Sequence, residues 1–421
     1  MPGTRAPFRG WKVVRTGALI QGLQSAVLLQ AFGAYAVVLE EEFGWSKSAL
    51  SAAYSMNRAE SALLGPVQGW MLDTYGPRKV ARVGAVMMAL GFVALSQIQS
   101  LWQFFLAFVF VSVGAGLSGF LTVTVSIVRW FERRRARALS FGSMGFALGG
   151  TAVSLIVFVI NQVGWRWTAA LTGVGSGIVI FVMARVLEGS PADFGQHVDG
   201  VEPGTFDDQP RAEGLAEIHF TAREAVRTRA FWMISLGHMS ALFVVGAVLA
   251  HLALYLTNER HYSLQEASFF VSALPLVQLV GIGVGGWLGD RCNKRVIASL
   301  AMLGHASGLL LLAFANGTVM VWMFVVIHGL AWGARGPLMQ ALRADYFGSS
   351  SFGAIMGISS MIVMLGTTFG PLIAGVLADV TGSYRTGFVI LAALAGLGMT
   401  FFVLATPPAP PLRAAESPGE H

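Results

Sequence analysis

Residues 69–79 read GWMLDTYGPRK, and residues 286–295 read GWLGDRCNKR. In both stretches a glycine-tryptophan pair is followed, at the same spacing, by an aspartate and then by basic residues. A second pair of turns repeats as well, since residues 164–168 read GWRWT and residues 382–386 read GSYRT. Such recurrence indicates that the chain consists of two halves built on one plan.

The composition places the chain in lipid. Of its 421 residues, 55% are hydrophobic and only 12% are charged, whereas soluble domains carry about 25% charged residues. About 20 apolar residues are needed to cross the hydrocarbon core as a helix. Twelve runs of that kind can be read, which we number span one to span twelve: 16–39, 48–72, 80–99, 101–127, 138–161, 167–187, 231–256, 266–289, 296–315, 318–342, 353–378 and 385–405.

The basic residues predict the orientation. If the N-terminus is cytoplasmic, the outer loops hold only Lys47, Arg166, Arg260 and Arg385, and most other basic residues outside the spans lie inside. Cytoplasmic loops carry such an excess of Lys and Arg, so both termini are predicted to be cytoplasmic. We expect a multi-pass plasma-membrane protein, specifically of a bacterial inner membrane. The pI of 9.8 thus reflects orientation, and nucleic acid is not an expected partner.

A polar stretch separates the two halves. We predict an N-terminal six-helix bundle over residues 1–187, a cytoplasmic linker over 188–229, and a C-terminal six-helix bundle over 230–421. The linker is rich in acidic residues, glycine and proline, with one amphipathic helix expected near 221–229. A duplicated set of six spans is the plan of alternating-access carriers, whose site lies between the halves.

These motifs carry a family resemblance. Residues 69–79 resemble the signature loop of the major facilitator superfamily, and residues 286–291 resemble its degenerate second copy. The segment 130–149, with Gly10-Trp11 ahead of span one, is similar to that of monocarboxylate porters and oxalate/formate antiporters. The resemblance covers nearly the whole chain. It implies an all-α membrane protein of twelve transmembrane helices in two pseudo-symmetric halves, with spans one, four, seven and ten lining the cavity.

The match to animal monocarboxylate carriers has one departure. Span eight lacks their intramembrane Asp/Arg pair and contains no arginine. Their exact substrate chemistry is therefore not carried over to this chain.

Buried cations are the strongest candidates for substrate contact. A central arginine costs about 2.5–3.5 kcal/mol on insertion scales, so Arg58 and Arg335 need a reason to be retained. A guanidinium binds a carboxylate through two parallel hydrogen bonds. We predict that Arg58 and Arg335 contact an organic anion, together with His328, Gln24 and Asn57. The alternative is that the arginines only lock the bundle, and that the amides bond a neighbouring helix.

Three titratable residues within spans are candidates for proton coupling. Glu60 is the only acidic residue deep in a span, and a desolvated carboxyl can carry a proton. His238 and His251 titrate near neutral pH when unperturbed. The alternatives are a structural ion pair for Glu60 and hydrogen-bonded packing for the histidines. Their spacing shows no metal-ligand pattern, and no cofactor is implied.

The two repeated loops are candidates for gating. The resemblance implies that Asp73 docks near a helix N-terminus in the other half, where the helix dipole favours negative charge. We assign gating roles to the glycines and charged residues of both loops: Gly69, Asp73, Gly76, Arg78, Asp290 and Arg291.

Together these features predict a secondary active transporter of small organic anions, with monocarboxylates favoured, working by proton symport or anion exchange. A drug or metabolite exporter of the same superfamily and a non-transporting membrane sensor are the alternatives. No phosphate loop and no catalytic constellation occurs in the sequence, so we do not expect an enzyme. The expected partners are the anion, the lipid bilayer and a coupling proton, with the chain acting as a monomer.

Overall fold

The computed structural model describes residues 7–45, 49, 63–149, 152–187, 189–201 and 219–411. Within those ranges the chain is helical between short turns and contains no strand. Nine of the described helices are long and apolar enough to cross a membrane. The predicted all-α membrane fold is therefore confirmed.

The N-terminal half begins with a bent span. Span one consists of two α-helices joined by a π-helical turn, Ser25–Gln30, which the apolar pattern does not predict. The helical segments of this half are Gly10–Gln24, Phe32–Phe43, 63–75, Pro77–Ser96, Leu101–Ser118, Phe120–Trp130, Arg135–Gly149 and Val153–Met183.

Glycines mark the turns at which spans meet. The helix Val153–Met183 is interrupted at Gly164, where φ is 80° and ψ is 159°, so it contains the end of span five and span six. Gly76 has φ 82° immediately before Pro77, the first residue of span three. Residues with a Cβ atom rarely adopt a positive φ of this size. Glycine has no Cβ atom, which explains why it stands at each position. The turn predicted at 164–168 is confirmed.

The C-terminal half contains one helix per span. A short helix, Ala222–Val226, comes first. The spans follow as Arg229–Asn258, Leu264–Gly289, Lys294–Ala313, Thr318–Phe347, Phe352–Thr381 and Tyr384–Leu404. Span ten continues to Phe347, five residues beyond the predicted end, because its polar final turn contacts protein rather than water.

Close helix contacts join the two halves. Gly65 and Gly69 of span two lie against Gly357 and Gly353 of span eleven, and a methyl group at any of the four would overlap the opposite backbone. Spans five and eight make the symmetry-related contact. Small residues permit such approach between membrane helices. Span nine packs on spans ten and twelve, away from the N-terminal half.

The linker is fastened to each half separately. The Asp199 carboxylate accepts hydrogen bonds from the backbone N–H groups of residues 132–134 at 3.1, 2.8 and 3.2 Å, which ties the first part of the linker to the N-terminal half. Further along, the Phe220 N–H donates to the Phe347 carbonyl at 3.1 Å, and the two rings pack edge to face. The linker therefore has an anchor on both bundles.

Candidate functional site

Asp73 connects span two with span eleven. Its Oδ1 accepts a hydrogen bond from the Gly353 N–H at 3.1 Å, and its Oδ2 accepts one from the Ala354 N–H at 2.8 Å. Both amides belong to the first turn of span eleven, where N–H groups lack helical partners and the dipole is positive. Burial raises the pKa of Asp73 above its usual value, and the two amide donors offset part of that rise.

Asp290 makes the equivalent contact in the opposite direction. Its Oδ1 accepts hydrogen bonds from the Ala136 N–H at 3.0 Å and the Arg137 N–H at 3.3 Å, in the first turn of span five. The Arg137 Nε lies 3.4 Å from Oδ2. Burial also raises the pKa of Asp290, with the amides and nearby cations opposing it. Each half thus places one aspartate on a helix N-terminus of the other half.

A third connection between the halves is an ion pair. Arg135 Nη1 lies 2.6 Å from Asp345 Oδ1, and Lys294 Nζ lies 2.7 Å from Asp345 Oδ2. The sequence reading did not single out Asp345, because an aspartate at the end of an apolar run is usually solvated. All three connections lie at the end of the bundle that holds the linker residues 189–201, which we call the linker side.

The opposite end, the far side, is arranged differently. Arg166 Nη2 lies 2.7 Å from Glu42 Oε1 within the N-terminal half. Glu259 accepts hydrogen bonds from the Ser383 hydroxyl and the Tyr384 N–H within the C-terminal half. In the ranges that the structure describes, these far-side polar contacts each stay within one half.

The other predicted gating residues contribute in different ways. Gly69 contributes by close packing and Gly76 by its backbone conformation, and Arg78 lies partly buried in the first turn of span three. The Arg291 guanidinium stacks on Trp287 of the preceding helix, 4.3 Å from the ring centroid.

A buried cluster of imidazoles and a guanidinium occupies the interior of the C-terminal half. His305 Nδ1 and His328 Nδ1 are 3.1 Å apart, and Arg335 Nε donates to His305 Nε2 at 3.4 Å. The three residues are 0%, 0% and 1% exposed. As predicted, His328 and Arg335 share a face of span ten, but that face meets span nine. Sequence reasoning missed His305.

The cluster contains unsatisfied donors. Arg335 Nη1 and His328 Nε2 are buried without a hydrogen-bond partner among the residues that the structure describes. Arg343, one further buried cation, donates to the Met339 carbonyl at 3.0 Å and reaches His238 Nδ1 at 3.5 Å. Among the described residues, neither guanidinium forms an ion pair with a carboxylate. Buried charges are normally paired, so two guanidiniums without a carboxylate among the described residues are unusual.

Gln24, predicted to bind substrate, bonds a neighbouring helix. Its Nε2 donates to Ser118 Oγ at 2.7 Å and to the Ala115 carbonyl at 3.1 Å, which joins span one to span four. This arrangement agrees with the alternative that the sequence left open for the amides.

His251, predicted to carry a proton, has partners on both ring nitrogens. Nδ1 lies 3.1 Å from the Tyr384 hydroxyl, and Nε2 lies 3.0 Å from the Pro371 carbonyl, to which it must donate. The candidates Asn57, Arg58 and Glu60 lie outside the described residues.

Comparison with known proteins identifies the class. The model of the Major Facilitator Superfamily matches residues 17–274 and 234–421. Monocarboxylate transporter 13 of Bos taurus is 25% identical over 413 residues, covering 96% of this chain and 92% of the relative. The probable sulfoacetate transporter SauU of Cupriavidus necator is 26% identical over 422 residues, covering 91% and 90%.

Solved structures agree on the fold. The human organic anion transporter MFSD10 superposes with a TM-score of 0.69 at 16% identity, covering 94% of this chain and 100% of that chain. The chain belongs to the Major Facilitator Superfamily and is a multi-pass membrane transporter. The predicted architecture of twelve helices in two halves is confirmed.

Proposed function

We propose that the protein carries small organic anions, with monocarboxylates favoured, by alternating access. The observation that carries this proposal is the pair of buried guanidiniums, Arg335 and Arg343, without a carboxylate partner in the described part of the C-terminal half. An anionic substrate would supply the missing negative charge. The two relatives named for monocarboxylate and for sulfoacetate both match this chain along nearly its full length, and both of those compounds carry a carboxylate.

Arg335 is the proposed anchor. Within the described ranges its guanidinium makes one long hydrogen bond, to His305, and its buried Nη1 has no partner. A charged donor that gains a carboxylate contributes about 1.5–3 kcal/mol per hydrogen bond, more than its bond to a neutral imidazole. Arg58 and Asn57 remain proposals for the opposite half, and Glu60 remains a proposal for coupling.

The linker side is proposed to face the cytoplasm, because the basic residues are concentrated there. The three connections described above then close the cytoplasmic end in this structure. Rocking of the halves, with the contacts of Asp73 and Asp290 broken, would open it.

The test is uptake into proteoliposomes of labelled lactate, pyruvate, oxalate, formate and sulfoacetate, with and without an inward proton gradient. We expect uptake of at least one carboxylate, and we expect Arg335→Ala to reduce it at least about tenfold through loss of charged hydrogen bonds. Arg385→Ala is the matched control, because Arg385 is exposed on the far side.

Two results would contradict the proposal. Absence of carboxylate flux, with transport of neutral or cationic lipophiles, would favour the alternative function of a drug or metabolite exporter. Full carboxylate uptake by Arg335→Ala would make Arg335 a structural residue and place the anion site elsewhere.

A further inference from the structure

The hydrogen-bond donors in the His305 cluster fix its protonation pattern. Arg335 Nε can only donate, so His305 Nε2 must accept, and the single proton of a neutral His305 therefore lies on Nδ1. That proton points to His328 Nδ1, 3.1 Å away, which must accept in turn. The proton of a neutral His328 then lies on Nε2, the atom that has no partner.

With this pattern, neither histidine has a free ring lone pair that could bind another proton. The neutral pair has two ring lone pairs, and each already accepts a hydrogen bond. A proton added at His305 Nε2 would face the Arg335 N–H directly, which would set two donors and two positive charges against each other. The Arg335 bond is long, at 3.4 Å, and is therefore the weaker of the two. Withdrawal of Arg335 is the change that would free a lone pair.

Among the described residues, the charged side chains close to the pair are cationic, and the others lie near the ends of the spans. Span seven contributes His238, which lies within electrostatic range of Arg335, Arg343 and His305. Span ten contributes Arg335 and Arg343, and Phe324 stacks on His328 with ring centroids 5.1 Å apart. The remaining charged and titratable side chains of spans seven, eight, nine and twelve are near their ends, as far as the structure describes them: Arg229, His251, Tyr255, Glu266, Lys294, Arg295, Tyr384 and Arg385.

We propose that the His305–His328 pair binds the coupling proton, and that Arg335 makes proton binding conditional on the substrate anion. The inference rests on the proposed anion transport and goes beyond it, because it selects proton symport over anion exchange. When the carboxylate binds, it draws the Arg335 guanidinium away from His305 Nε2. A proton from water on the open side of the carrier then binds at that nitrogen, and the carboxylate offsets the new positive charge.

Release reverses these steps. When the anion leaves, Arg335 donates to His305 Nε2 again, and the proton returns to water on the side that is open. Anion and proton thus stabilise each other on the carrier, since a coupling free energy between two sites is reciprocal. Arg335 is the positioning residue, and the pair is the proton site.

The experiment compares wild type, His305→Gln and the control His197→Gln in proteoliposomes, with the best-transported carboxylate of the panel; His197 is exposed in the linker and has no assigned role. Two modes are measured: accumulation driven by an inward proton gradient, and counterflow of labelled against unlabelled carboxylate without a gradient. We expect His305→Gln to lose gradient-driven accumulation and to retain counterflow, because the glutamine cannot be protonated but Arg335 is still present. His197→Gln should keep both modes.

The outcomes separate this inference from the proposed function. No carboxylate flux by wild type in either mode would overturn both. Wild-type flux that ignores the gradient, or gradient-driven accumulation by His305→Gln, would overturn the proton site and leave anion transport standing. If His305→Gln does not fold, the test uses the wild-type protein alone. Calorimetry of carboxylate binding in two buffers of different ionisation enthalpy then measures the number of protons taken up. Uptake of a proton on carboxylate binding supports the inference, and its absence overturns it.

Discussion

At the residue scale, Asp73 shows how a single carboxylate can hold two halves of a carrier together. It accepts hydrogen bonds from the N–H groups of Gly353 and Ala354, which have no helical partner of their own. Hydrogen bonds to a charged group contribute about 1.5–3 kcal/mol each, and the helix dipole adds up to about 1 kcal/mol at an exposed N-terminus. Desolvation of the carboxylate opposes these gains, so the contact can be broken in each transport cycle.

We expect Asp73→Ala to shift the protein towards states that are open on the linker side, by at least about tenfold, because two amides lose their acceptor. The measurement is the distance distribution between spin labels at Thr74→Cys and Ser350→Cys, in a Cys292→Ser background. Both label positions are exposed and flank the contact. An unchanged distribution would show that Asp73 does not hold the linker side closed.

The pH dependence of the distance between the same two spin labels tests the Asp73 contact in a second way. Since burial raises the pKa of Asp73 in the closed state, protonation favours that state relative to one in which the carboxylate is hydrated. Lowering the pH towards the pKa of Asp73 should therefore increase the closed fraction. Raising the pH through that elevated pKa should remove the gain. Asp73→Asn cannot titrate, so it should lose this part of the response.

The sequence predicted some of these residues and not others. The docking of Asp73 on a helix N-terminus followed from the resemblance of its loop, and the second loop indicated Asp290. His305 was missed because a lone histidine in an apolar run looks like a packing residue. A signal did exist: Gly304 and Gly308 flank it on the face that approaches Ala331 and His328 of span ten. Which helix would cover that face depends on packing that no local pattern specifies.

At the element scale, the contact between spans two and eleven depends on helix separation. Gly69 lies directly against the Gly353 backbone, next to the amide that donates to Asp73. A larger residue would separate the helices and lengthen those hydrogen bonds even with Asp73 intact.

We therefore expect Gly69→Val to shift the spin-label distances in the same direction as Asp73→Ala. Gly175→Val is the matched control, because Gly175 is exposed on span six with no atom close to where its side chain would lie. If Gly69→Val leaves the distances at their wild-type values, close packing of spans two and eleven is not required for closure.

Apolar runs predicted where the spans lie, but not their irregularities. The π-helical turn Ser25–Gln30 and the extension of span ten to Phe347 both escaped the pattern. In the latter case Arg343 is fully buried within the protein, where it donates to the Met339 carbonyl one turn earlier. Hydropathy alone predicts that a span ends before such a residue.

At the scale of the whole molecule, the contacts are asymmetric along the membrane normal. Two aspartate–amide contacts and the Arg135–Asp345 ion pair connect the halves on the linker side, whereas the described far-side contacts of Glu42 and Glu259 remain within one half. Because each half donates one aspartate and receives the other, separation of the halves breaks both contacts together. The linker side should accordingly open as a unit.

The predicted orientation can be checked with the single cysteine. Cys292 is exposed and lies two residues beyond Asp290, on the linker side. A membrane-impermeant maleimide should label it in inside-out vesicles and not in intact cells. Asn316→Cys in a Cys292→Ser background should show the opposite pattern, since Asn316 is exposed in the far-side turn before span ten. Labelling of Cys292 in intact cells would reverse the assigned orientation.

The separate anchoring of the linker bears on how the protein is made. Asp199 fastens one end of the linker to the first bundle, and Phe220 fastens the other end to the second. Each anchor is made by residues on its own side of that stretch, so neither anchor requires an unbroken chain between residues 201 and 219. Two co-expressed polypeptides, divided within residues 202–218, would each keep an intact anchor and should assemble into a working carrier.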